Sequence, residues 1–143
     1  MDILTRAAAL SDVDSAYEFI CSLEDEVFDK AMFATLYENN LNKEQHHYLL
    51  ATVDDKPIGL ISCHGQILLH HCGLVYEIQE MYVLPEYRSR GVGKVLLDAL
   101  LEQIKDDNYV LLEVCSGFKR ADAHRFYEAN GFVKTTYKFK KVP

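Results

Sequence analysis

"PEYRSRGVGKVLLDALLEQIK" runs from Pro85 to Lys105. Within it Val92, Val95, Leu96, Ala99, Leu100 and Ile104 recur at spacings of three and four, while Lys94, Asp98, Glu102 and Lys105 fall opposite. The spacing predicts an amphipathic helix that begins near Gly91 and lays its apolar stripe on a sheet. The first amides of a helix have no intrahelical acceptor and carry partial positive charge, so an anionic oxygen can meet them wherever no side chain blocks the approach. Gly91 and Gly93 are bare, and Arg88, Arg90 and Lys94 add full charges near the same point. Arginine can grip a phosphate through two parallel hydrogen bonds, which suits the stretch to a pyrophosphate. The plainer reading of the same spacing is a tight turn beside solvated basic residues. A Walker loop is excluded, since it needs glycine at Arg88 and Ser or Thr at Val95. A dinucleotide fingerprint needs a small residue at Leu96 and glycines directly after a strand.

Outward from this helix the elements alternate. "LVYEIQEMYVL" before it is rich in Val, Ile and Tyr and stops at Pro85, as a strand does. "YVLLEVC" after it is a short apolar run of the kind covered on both faces, and "RADAHRFYEAN" reads as a helix closed by Asn130-Gly131. The tail "FVKTTYKFKKV" alternates as an edge strand would. Toward the amino end, Ile3 and Leu4 predict a strand. Ser11 or Asp12 caps a helix with Val13, Ala16, Tyr17, Ile20 and Leu23 on one face, and a second helix joins Met32, Phe33, Leu36 and Tyr37. "HYLLATVDDKPIGLISCHGQILLH" predicts an antiparallel hairpin about Asp54 to Pro57. The resulting order is β-α-α-β-β-β-α-β-α-β, an α/β (α+β) class.

The bulk properties bound what this fold can be. A chain of 143 residues is expected to form one domain, residues 1–143. It is 49% hydrophobic and 26% charged, with no apolar run of the ~18 residues that a membrane span needs. Acidic residues close behind Met1 and the lack of a small-residue cleavage site argue against export, so a cytoplasmic location is expected. Cys21, Cys63, Cys72 and Cys115 show no C-x-x-C spacing and are read as reduced thiols. A formal charge of −7 argues against a broad grip on nucleic acid.

Arg88-x-x-Gly91-x-Gly93 between a strand and a helix, with "FYEANGF" downstream, resembles the acetyl-coenzyme A signature of the GCN5-related N-acetyltransferases (GNAT). The likeness extends over the whole element order. It implies the GNAT fold, a mixed, mostly antiparallel central sheet flanked by helices and splayed between strands 4 and 5 to admit a pantetheine arm. It further implies acetyl-CoA as cosubstrate, with the backbone of Met81, Tyr82 and Val83 pairing the pantetheine amides. The amides of Arg88, Ser89, Arg90, Gly91, Val92, Gly93 and Lys94 would hold the pyrophosphate. Where the family often has asparagine contacting the cofactor, this chain has Arg120, so Arg120 or Lys119 is expected on a coenzyme A phosphate or on the substrate.

Acetylating an amine requires a free lone pair. At a pKa near ~10.4 only about one amine in a few thousand has one at neutral pH, a deficit of roughly 4 to 5 kcal/mol. Glu77 and Glu80 are the candidate general bases. Simple strand alternation puts them on opposite faces, with Glu77 beside Gln79 and Met81, which ranks Glu77 first. The resemblance assigns Tyr127 as the acid that protonates the departing thiolate; its other reading is core packing with Ala123 and Phe126. "FDKAMF", "LLHHCGLVYEIQE" and "FKRADAHRFYEANGF" are most similar to the aminoalkylphosphonate N-acetyltransferases, which implies a small primary amine bearing a phosphonate. Arg120, Lys119, His70 and His71 are the candidates to meet that charge. That branch is associated with a divalent metal, but His46-His47 and His70-His71 are adjacent pairs whose side chains diverge on a strand, so the spacing supports no metal ligand. Two alternatives stay open: another acceptor, whether a polyamine, aminoglycoside or protein amine, or a coenzyme A-binding module without turnover. Dimerisation is the family's common habit.

Overall fold

The computed structural model describes residues 1–117 and 120–143. Five strands, β1 (Leu4–Ala7), β2 (His46–Val53), β3 (Lys56–Leu68), β4 (Gly73–Val83) and β5 (Leu111–Val114), form one sheet in the order β1-β2-β3-β4-β5. The first three pairings are antiparallel and β4–β5 is parallel. Four helices complete the chain: α1 (Val13–Glu24), α2 (Lys30–Leu41), α3 (Val92–Ile104) and α4 (Ala121–Ala129).

The helices divide between the two faces. On one face α3 buries Val92, Leu96, Leu97, Leu100 and Ile104 against Leu49, Ala51, Ile61, Cys63, Tyr76 and Ile78, and Phe126 of α4 joins this core. Each such side chain removed from water contributes about 1.5 to 3 kcal/mol before conformational entropy is charged. On the other face Phe19 and Ile20 of α1 pack on Leu50, Leu60 and Tyr82. Asp29 caps α2 by accepting the Met32 amide at 2.7 Å. Asp12 precedes α1 as expected, but its carboxylate binds Arg6 at 2.7 and 2.9 Å and the Ala9 amide, tying β1 to the helix start.

The register of β3 on β4 corrects one expectation. Ser62 pairs with Glu80 and Cys63 with Ile78, so Gln79 is the extra residue of a bulge. One inserted residue shifts the pleat by one. Glu77, opposite His64, and Glu80, opposite Ser62, therefore both point to the α1–α2 face, while Met81 points to the α3 side with Ile61. The opposite-face assignment fails because plain alternation assumes an unbroken ladder.

β5 pairs only with Val75 to Ile78, leaving Gln79 to Val83 of β4 without a neighbour on that side. This is where the splay between strands 4 and 5 was expected. The tail departs from expectation: residues 132–143 form neither helix nor strand, and Val133, Tyr137 and Phe139 are 79, 79 and 92% exposed. Alternation supplies a preference for extended chain, but a strand exists only when its amides pair, and β5 offers an edge of four residues. Among the described residues no helix is long and apolar enough to cross a membrane, and all four cysteines are unpaired.

Candidate active site

The chain leaves β4 through a single turn at Pro85–Tyr87 and reaches α3 with Ser89 at φ 60° and Gly91 at φ 81°. The first intrahelical bond runs from the Val95 amide to the Gly91 carbonyl at 3.1 Å, so the amides of Val92, Gly93 and Lys94 are left for an external acceptor. The two glycines serve different ends. A Cβ on Gly91 would meet nothing within 4 Å, which leaves the approach to the helix end open. A Cβ on Gly93 would lie 3.3 Å from the Phe126 ring, so its bareness lets α4 close on α3. Arg88 donates from Nε to the Val83 carbonyl at 2.9 Å and stacks over Tyr82, fastening the loop to the strand. Lys94 pairs with Asp98 at 3.1 Å, and Arg90 is exposed.

On the α1–α2 face a pocket of about 160 Å³ lies between Ala16 and Ile20 of α1, Phe33, Leu36, Tyr37 and Asn40 of α2, and Tyr48, Leu60 and Glu80 of the sheet. Glu80 is its carboxylate. Ser62 orients it, donating from Oγ to Oε1 while accepting the Glu80 amide at 3.0 Å. Burial holds the Glu80 carboxyl above the usual range, Ser62 partly offsets this, and the charge of Glu24 adds to the rise. Tyr48 accepts from Asn40 at 2.9 Å and lies 2.8 Å from Nε2 of His64. Burial, aided by the stacked ring of His46 at 3.6 Å, pushes His64 down to about 4. The imidazole is thus held in its neutral form at pH 7, hydrogen-bonded through Nε2 to the Tyr48 hydroxyl. A second pocket of about 200 Å³ lies beyond that contact, lined by His64, Gln66, Leu68, Val75, Glu77 and Glu113. Glu77 accepts from Gln79 at 3.0 Å and from the Cys115 thiol at 3.5 Å.

Tyr127 stands on α4 with its ring packed edge-on against Phe126 and Phe132. Burial raises its pKa and the nearby Arg120 charge lowers it in part. Arg120 donates to the Leu23 carbonyl at 2.9 Å and lies 3.8 Å from Glu24, so it is turned toward α1. Lys119 lies outside the described residues. His70 and His71 are exposed on a turn before Gly73, roughly 24 Å of strand from Glu80 at ~3.4 Å per residue, and cannot meet an acceptor there. His46 stacks on His64 while His47 faces Tyr76. Among the described residues no three His, Cys, Asp or Glu side chains converge to hold a metal ion, so the donor set does not fit one.

The model of the acetyltransferase (GNAT) family matches residues 12–132. The chain belongs to the GNAT family. This GNAT chain is 37% identical over 137 residues to an aminoalkylphosphonate N-acetyltransferase of Salmonella typhimurium, covering 96% of the chain and 89% of the relative. It is an N-acetyltransferase. A GNAT family acetyltransferase of Staphylococcus aureus superposes with a TM-score of 0.78 at 24% identity, over 100% of both chains. The aminoglycoside N-acetyltransferase AAC(6')-Iy, solved with CoA, superposes with a TM-score of 0.87 at 16% identity, over 99% of this chain and 95% of that one. These two likenesses concern the fold.

The sequence named Arg88 to Lys94, Tyr127 and both glutamates as candidates, whereas Tyr37, Tyr48, Ser62 and His64, which lie beside them in the structure, were not among its candidates. Ser62 and His64 become neighbours of Glu80 and Glu77 only through the β3–β4 register, and Tyr48 only through the β2–β3 register. The one local signal was the polar Ser62 and His64 within an otherwise apolar strand.

Proposed function

We propose that the chain transfers the acetyl group of acetyl-CoA to the primary amine of a small aminoalkylphosphonate by direct attack, with Glu80 as base and Tyr127 as acid. The observation that carries the site reading is Glu80, oriented by Ser62 in a tyrosine-walled pocket beside the unpaired half of β4. The acceptor class is supported by the 37% identity to the Salmonella enzyme over nearly the whole chain.

When bound, acetyl-CoA supplies an activated acyl group and a thiolate leaving group. Ser89 to Lys94 offer amides to its pyrophosphate, and Met81, Tyr82 and Val83 offer a free strand edge to its pantetheine arm. Glu80 accepts the ammonium proton, and a carboxyl held above its ordinary range is better matched to that task than a fully solvated one. Tyr127 returns a proton to the leaving sulfur. The Ser62 contact and the walled pocket favour Glu80 over Glu77, which the sequence ranked first. Glu77 borders the second pocket, and its oxygens already accept from Gln79 and Cys115. Glu77 is assigned to orienting a water or ammonium there.

Two measurements test this. Free thiol release is followed with acetyl-CoA and a panel of aminoalkylphosphonates, polyamines, aminoglycosides and peptides; turnover of phosphonates is expected, and their silence removes the phosphonate as acceptor. Glu80→Gln is expected to lower kcat/KM by about 10²- to 10³-fold and to remove the acid limb of its pH profile. That limb lies above the normal carboxylate range, because activity rises with pH as the raised Glu80 carboxyl ionises. Glu77→Gln is expected to cost less and to keep the limb; the reverse ranking restores Glu77 as base.

One observation favours a second acceptor class. Glu77 and Glu113 face the second pocket with no cation in its lining, an arrangement suited to an additional ammonium group. A polyamine or aminoglycoside acceptor would use it, and the same panel distinguishes the two.

A further inference from the structure

Ala16, Ile20 and Glu24 fall at intervals of four on α1 and so form one row along the helix. The first two line the acceptor pocket, and Glu24 continues their row in the last turn of the helix, near enough for its charge to act on Glu80. Arg120, 97 residues away in the chain at the start of α4, comes to the same point. Its Nη2 donates to the Leu23 carbonyl at 2.9 Å and stands 3.8 Å from Glu24 Oε1, longer than a hydrogen bond. Both side chains are about half exposed, and the lining of the pocket holds neither Arg nor Lys. A guanidinium on one carbonyl and one loosely held carboxylate still has donors to offer, since it carries five in a planar fork.

We infer that Arg120 is the receptor for the anionic end of the acceptor, and that Glu24 is its resting counter-ion, displaced when that anion arrives. This rests on the phosphonate reading above and adds to it a determinant of selectivity. An acceptor whose amine reaches Glu80 inside the pocket has its far end toward Glu24, where Arg120 is the cation that the pocket wall lacks. Glu24 has two effects there. It competes with the incoming anion for the guanidinium, and its charge repels that anion directly. Glu24 therefore sets how strongly anionic amines are favoured over neutral ones. The plainer alternative is that Arg120 only ties α4 to α1; in that case its loss affects all acceptors equally.

The experiment compares KM for an aminoalkylphosphonate and for the unsubstituted alkylamine of the same chain length, in the full-length wild type and in Arg120→Gln, Arg120→Lys, Glu24→Gln and the Arg120→Gln/Glu24→Gln double variant. Arg120→Gln is expected to raise KM for the phosphonate about 10- to 100-fold, the range of lost charge-assisted bonds, and to leave the alkylamine unchanged. Arg120→Lys should recover part of the loss. Glu24→Gln is expected to lower the phosphonate KM about two- to five-fold, as suits an exposed pair, and in the Arg120→Gln background it should give a smaller gain, the part due to direct repulsion alone. Equal KM changes for both acceptors in Arg120→Gln, or no gain in Glu24→Gln, overturn the assignment while leaving the acceptor class standing. A wild type that acetylates only amines without an anionic group removes the phosphonate reading itself, and the assignment with it. Melting temperatures of all variants separate these outcomes from damage to the fold.

Discussion

A glutamate in place of Gly91 is expected to abolish binding of coenzyme A while the protein stays folded. Gly91 precedes α3 with φ at 81°, a conformation that costs an L-residue about 1 to 2 kcal/mol. That is tolerable against the 5 to 15 kcal/mol by which native domains are stable. The space ahead of its absent side chain is open, so the new group displaces no packing. It instead places a carboxylate in front of the amides of Val92, Gly93 and Lys94, where a pyrophosphate is expected. The anion then loses several charge-assisted bonds and meets a like charge, which amounts to at least about 3 kcal/mol, or more than 100-fold in affinity. Titration calorimetry with coenzyme A and a melting curve together check this result. Gly93 is a poorer site for the experiment, because a side chain there presses on Phe126, next to Tyr127, and confuses steric damage with electrostatics. Binding at wild-type strength by Gly91→Glu removes the helix end as the pyrophosphate seat.

Tyr127→Phe is expected to lower kcat about 10²-fold with the affinity for coenzyme A unchanged. General acid catalysis contributes 10²- to 10⁴-fold, and a thiol, with a pKa near 8.5, needs the least help in leaving, which selects the low end. The substitution keeps the ring that packs on Phe126 and Phe132, so stability should hardly change. It also carries a signature in pH. Burial keeps the Tyr127 hydroxyl protonated above the ordinary tyrosine range, so the wild-type rate falls only at strongly alkaline pH as the acid is lost. In the phenylalanine variant that alkaline fall is absent. An unchanged kcat in single-turnover measurements returns Tyr127 to core packing.

Local patterns announced most of the fold. The α3 stripe, the Asp54–Asp55 hairpin turn and the bare Gly91 each follow from a few consecutive residues, and each is present in the structure. What escaped depends on partners distant in the chain. No pattern within β4 announces the bulge at Gln79, since it is defined by the pairing of Ser62 and Cys63 on β3. The tail alternates as well as β4 does, yet it lacks the long neighbouring edge that converts preference into pairing. Arg120 was expected on a coenzyme A phosphate or on the substrate from its place before Tyr127; Leu23 and Glu24, which it meets, lie in a helix almost a hundred residues earlier and were not foreseen as its partners. Tyr48 was read as part of a hairpin, and its role as a pocket wall needed α2 to cover it.

A wedge between two strands can be built from chemistry or from counting. In β4 it is counted: the surplus peptide at Gln79 falls just beyond Ile78, the last residue that β5 reaches, and a strand carrying one residue too many bends away from its neighbour. The side chain at that place is exposed and replaceable, whereas its peptide is not. Drift of the amino acid at position 79 should leave the cleft as it is, and loss of a single codon there would draw β4 straight and narrow the passage for any thioester carrier.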